Sequence, residues 1–69
     1  MNKFVEIGGE LVRKDAIITI SVVFETPSGL WSFTVWTNTL RPTYSLRPTS
    51  TKKEAIEARA ALMDELDKD

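Results

Sequence analysis

Ile17-Ile18-Thr19-Ile20-Ser21-Val22-Val23-Phe24, then Glu25-Thr26-Pro27-Ser28-Gly29, then Leu30-Trp31-Ser32-Phe33-Thr34-Val35-Trp36-Thr37 carries most of what this chain says about its architecture. The first run is β-branched almost throughout. The last alternates apolar with hydroxyl side chains at period two, as a strand with one buried face does. Between them proline fixes φ and glycine accepts positive φ, which suits a tight connection. Two antiparallel strands joined by a hairpin are expected. Period two then assigns the faces. Trp31, Phe33 and Val35 point to one side, with Ile18, Ile20, Val22 and Phe24 as the matching row across the hairpin. Trp36, at odd spacing from Trp31, points to the other side with Ser32, Thr34 and Asn38, and regular pairing adds Thr19 and Ser21 there. Trp31 is therefore expected to be buried and Trp36 exposed.

Before this hairpin, Phe4-Val5-Glu6-Ile7 reads as a short leading strand ended by Gly8-Gly9, with Leu11-Val12-Arg13 as its return and Lys14-Asp15-Ala16 as a turn. After it, Tyr44-Ser45-Leu46-Arg47 lies between Pro42 and Pro48, so it is expected as an edge strand. Its Tyr44 and Leu46 join the inner face, and Ser45 and Arg47 the outer one. Thr51 and Glu54 stand at capping-box spacing and predict a helix. On that helix Ala55, Ala58, Leu62 and Leu66 form one apolar stripe. The expected architecture is α+β: an antiparallel meander of three to four strands with one C-terminal helix packed on one face. A single domain spans residues 1–69, with the sheet in 1–50, the helix in 51–67 and a frayed end at Lys68 and Asp69.

Composition limits the chemistry. A chain of 69 residues buries only about 60% of its unfolded surface, which leaves room for one core. There is no cysteine and no histidine, so thiol catalysis, disulfides and the usual general base and metal ligand are absent. No catalytic residue, metal site or cofactor is expected. Without disulfides, an apolar leader or a stretch long enough to span a membrane, the chain is expected to be soluble and cytoplasmic. Net charge is −1, and residues 26–51 contain no carboxylate, only Arg41 and Arg47 as charges.

Two surfaces are candidate sites. The outer sheet face carries Trp36, Thr34, Ser45, Arg47 and Arg41, and an indole and a guanidinium are side chains enriched at binding hot spots. A protein partner is the expected ligand, against the plainer reading of a solvated, hydroxyl-rich sheet. Ile56, Arg59 and Met63 lie on one flank of the helix. They are expected to extend the core, with self-association through this flank or through a sheet edge as the alternative. Nucleic acid is the weaker choice, because phosphate contacts dominate its affinity and Arg13, Lys14, Arg41 and Arg47 would have to converge on one surface.

A meander followed by Thr51-Lys52-Lys53-Glu54-Ala55-Ile56-Glu57-Ala58-Arg59-Ala60-Ala61-Leu62 resembles the amino-terminal half of HicB-type antitoxins. The likeness covers roughly the last 40 residues and is one of layout. In size, acidity and strand-plus-helix plan the chain is also similar to short accessory proteins of bacteriophages and prophages, including anti-CRISPR inhibitors. The first resemblance implies an antitoxin fragment. The second implies a non-catalytic inhibitor that blocks a host protein or complex.

Overall fold

Gly8 and Gly9 reverse the chain at φ of +58° and +86°, the two positive φ values that a two-residue hairpin loop needs to follow the strand twist. β1 (Phe4–Ile7) and β2 (Glu10–Arg13) therefore pair antiparallel, from Ile7 opposite Glu10 to Phe4 opposite Arg13. Alternation sends Val5, Ile7 and Val12 into the core and leaves Phe4 and Leu11 exposed. The computed structural model describes residues 3–67, and the expected fraying of Lys68 and Asp69 lies outside them.

A 3-10 turn, Lys14–Ala16, leads into β3 (Ile17–Ile20), β4 (Phe24–Glu25), β5 (Trp31–Ser32), β6 (Thr34–Thr37), β7 (Thr43–Ser45) and the helix α1 (Lys52–Asp67). β3, β6 and β7 form one antiparallel sheet in the order β3-β6-β7, and β4 with β5 forms a separate ribbon. The molecule is thus α+β, with antiparallel strands in small sheets and one C-terminal helix, as expected. The two long strands of the 17–37 hairpin, however, are each cut in two.

A serine makes the cut. The Ser21 N–H donates to the Thr34 carbonyl at 2.8 Å, but the Thr34 N–H donates to the Ser21 hydroxyl, also at 2.8 Å. The hydroxyl has replaced the backbone acceptor, a substitution serine is equipped to make. The displaced Ser21 carbonyl accepts from Arg59 Nε at 2.8 Å, which ties the break to α1. On the other arm Phe33 leaves the ladder, its carbonyl accepting the Leu46 N–H at 3.1 Å. Ser32, expected on the outer face, is buried instead, and its hydroxyl donates to the Leu46 carbonyl at 2.7 Å.

A bulge shifts the phase of β3. Ile17 faces Thr37 and Thr19 faces Trp36, so Ile18 is an extra residue on its strand. Ile17 and Ile20 both pack on the core, while Ile18 is 66% exposed. Of the expected inner row Ile18, Ile20, Val22 and Phe24, only Ile20 stays inside. Val22 and Phe24 are exposed, and Val23 packs inward in their place once the chain has left the ladder at Ser21. The core is Val5, Ile7, Val12, Phe33, Val35 and Leu62, with Tyr44, Leu46, Ala58 and Leu66 against it. The expected helix stripe of Ala55, Ala58, Leu62 and Leu66 is the face that α1 turns inward. Trp31 is only half-buried. It sits at a bridge to Thr49, with Lys52 Nζ 5.6 Å from its ring centroid, because the break at Phe33 takes it out of phase with Val35.

The helix start is capped as its sequence predicts. Glu54 N–H donates to the Thr51 hydroxyl at 3.2 Å, and the Glu54 carboxylate reaches back to accept from the Thr51 and Ser50 hydroxyls at 2.9 and 3.1 Å. Thr51→Ala is expected to lose about 0.5–2 kcal/mol of stability with the sheet intact. Chemical denaturation followed by helical circular dichroism measures it, and a midpoint equal to the parent's would remove the capping assignment.

Candidate functional site

β6 is the central strand of its sheet, and its alternation sets what each face shows. Val35 is fully buried and Thr37 nearly so, and Trp36 between them points the other way at 46% exposure. In register, Trp36 lies between Thr19 on β3 and Thr43 on β7, and Thr34 lies opposite Ser45. Trp36, Thr34 and Ser45 are therefore brought together on one face, as the sequence predicted. Ile18 joins them. The residues flanking Ile18 and Thr19 both pack inward, so these two project outward beside the strand that carries Trp36. The result is a hydroxyl-rich face with an indole and a branched aliphatic side chain on adjacent strands.

Of the two arginines assigned to this face, Arg41 lies elsewhere and Arg47 reaches toward the first hairpin. Tyr44 is opposite Val35 and so belongs to the inner side. Arg41 stands 4.6 Å over the Tyr44 ring and makes a salt bridge with Glu10 on β2, which removes it from the Trp36 face. The loop 38–42 holds it there: the Thr37 and Thr39 hydroxyls both bond the Arg41 carbonyl at 2.8 Å. Arg47 follows β7, and its guanidinium approaches Gly9 at the β1–β2 turn. The same turn covers part of the β7 edge, because Gly8 lies directly against the Ser45 carbonyl. Strand addition next to Ser45 is thereby obstructed; the other edge strand of this sheet is β3.

Ile18 is the residue that sequence reading missed. Strict alternation cannot place Ile17, Ile18 and Ile20 on one face, and that conflict was the available sign of a bulge.

The remaining cations do not gather. Arg13 makes two contacts with Asp15, at 2.9 and 3.1 Å, and Lys14 Nζ lies 3.9 Å from Glu65. With Arg41 held by Glu10, three of the four cations that a phosphate-binding face would need already face carboxylates.

Among the described residues, grooves flank α1 on two sides. One of about 550 Å³ runs between β1–β2 and the helix, floored by Phe33, Leu46 and Leu62. Its lining includes the carboxylates of Glu6 and Glu65. Both residues are solvent-exposed, whereas paired acids divide an acid–base task when their surroundings differ. The second groove, about 360 Å³, lies between α1 and the segment after Ser21, beside Val22, Ile56 and Ala60. Among the described residues no three His, Cys, Asp or Glu side chains cluster as a metal site, and no helix is long and apolar enough to cross a membrane.

The chain matches no family model, no curated protein and no solved structure.

Proposed function

We propose that this chain is a non-catalytic protein-binding module whose outer sheet face, centred on Trp36 and Ile18, docks a protein partner and blocks the partner's own site. The observation that carries the reading is the exposure of Trp36 and Ile18, at 46% and 66%, on adjacent strands of a face whose other visible side chains are hydroxyls. Large apolar groups within a polar surround match the anatomy of an interface, an anchor within a wettable rim. The dispersed and paired cations support a protein partner over a nucleic acid. An inhibitor of the type found in bacteriophages and prophages is the biological role we favour, since such a protein acts by occupancy alone.

The test is affinity capture from the source organism with three baits: the parent, Trp36→Ala and Ile18→Asp. A partner bound through this face is retained by the parent. Truncation of a hot-spot Trp loses about 2 kcal/mol or more, so Trp36→Ala should weaken binding of the purified partner roughly thirtyfold. Binding should change little from low to moderate salt, whereas a phosphate-dominated complex would weaken steeply. Equal affinity for folded parent and both variants would show that this face is merely solvated.

A further inference from the structure

Ile56, Ala60 and Met63 are all exposed on α1, Ile56 at 48% and Met63 at 41%. The sequence reading placed Ile56 and Met63 in an extended core, but the core occupies the stripe of Ala55 and Leu62 on another side of the helix. Spacings of four and three residues put Ile56, Ala60 and Met63 on one seam, the pattern by which two helices pair. The groove of about 360 Å³ opens beside the first half of that seam, with Val22 as its far wall. Met63 stands one turn beyond it. A hole and a knob thus lie on the same helix, about equally far on either side of Ala60.

We infer that this seam pairs with a second copy of the same chain, α1 against α1 and antiparallel, about a two-fold axis near Ala60. That symmetry seats Met63 of each copy in the groove beside Ile56 of the other, and an unbranched thioether suits an irregular gap. Alanine at the axis lets the backbones approach closely. Charge selects the antiparallel direction. Lys52 and Lys53 lie at the start of α1 and Asp67 at its end, so antiparallel copies put Lys53 opposite Asp67, while parallel copies would put lysine against lysine. Opposed helix dipoles favour the same direction. Arg59, the cation nearest the axis, is drawn aside by its bond to the Ser21 carbonyl. The opposing term is the approach of Glu57 to Asp64 across the axis, with Lys53 within a turn of both. A single helix pair is at the small end of interfaces, so the dimer is weak and dependent on concentration. This surface shares no residue with the Trp36 face.

Sedimentation velocity from micromolar to millimolar concentration, at low and moderate salt, tests the inference. The parent is expected to dimerise, less so in salt. Lys53→Glu and Asp67→Lys should each weaken dimerisation about tenfold or more, because each converts two attractive contacts into repulsive ones. Mixed in equal amounts, the two variants should form a heterodimer. The introduced glutamate of one then meets the introduced lysine of the other, and the unaltered Asp67 of the first meets the unaltered Lys53 of the second. Met63→Glu should be monomeric with a parental circular dichroism spectrum, and Trp36→Ala should dimerise like the parent. A parent that stays monomeric to millimolar concentration overturns the proposal. So does a mixture that associates no better than its components, or a dimer that survives Met63→Glu or is lost with Trp36→Ala.

Discussion

Phe33→Ala is expected to destabilise the fold by about 3–5 kcal/mol, the usual range for removing a buried phenylalanine. A domain of this size has roughly 3–10 kcal/mol in total, so the variant will be largely unfolded or close to it. Phe33 is one of the two largest fully buried side chains, at 2% exposure, and it stands where the hairpin arm leaves the ladder. Trp31→Ala removes a larger side chain but should cost less, because Trp31 is only half-buried. Trp36→Ala should change stability least of the three. Urea denaturation of all three variants gives the order directly. If Trp31→Ala proved the most damaging, the strand break at Phe33 would not exist in solution and the uninterrupted alternation would hold.

Gly8→Ala should be the most damaging of the glycine-to-alanine changes. Gly8 has φ of +58°, a region that costs other residues about 1–3 kcal/mol at fixed structure. A Cβ there would also collide with the Ser45 carbonyl, which is backbone and cannot rotate aside. Either the β1–β2 turn lifts off β7 or β7 moves, and the core contacts of Ile7 loosen in both cases. Gly29→Ala is the control: its φ is +83°, but beyond its chain neighbours no atom lies within 4 Å of the added methyl. It should show the backbone cost alone, and urea midpoints of the two variants measure the difference. A smaller loss for Gly8→Ala than for Gly29→Ala would mean that the first hairpin is not seated on β7.

Elements governed by local interactions are legible in the chain alone. Two adjacent glycines at the first turn, the Thr51–Glu54 cap and the stripe of Ala55, Ala58, Leu62 and Leu66 each follow from backbone conformation or helical periodicity within a few residues. The opposite directions of Val35 and Trp36 are equally local, which is why the placement of Trp36 and Thr34 on one face could be read directly, while Ser45 joins them through the β6–β7 register. Where the ladders break is a matter of distant partners. The Ser21 hydroxyl supplants its own carbonyl because Arg59, 38 residues away, gives that carbonyl another partner. Phe33 can leave its strand because Leu46 satisfies its backbone oxygen. The bulge at Ile18 turns an isoleucine from the predicted core to the candidate interface, and Glu10 with Tyr44 draws Arg41 away from it. Period-two reading assumes an unbroken ladder. One extra residue or one hydroxyl in the place of a carbonyl puts the stretches on its two sides out of phase with each other, and whether that happens is settled by hydrogen-bond partners that lie far away along the chain.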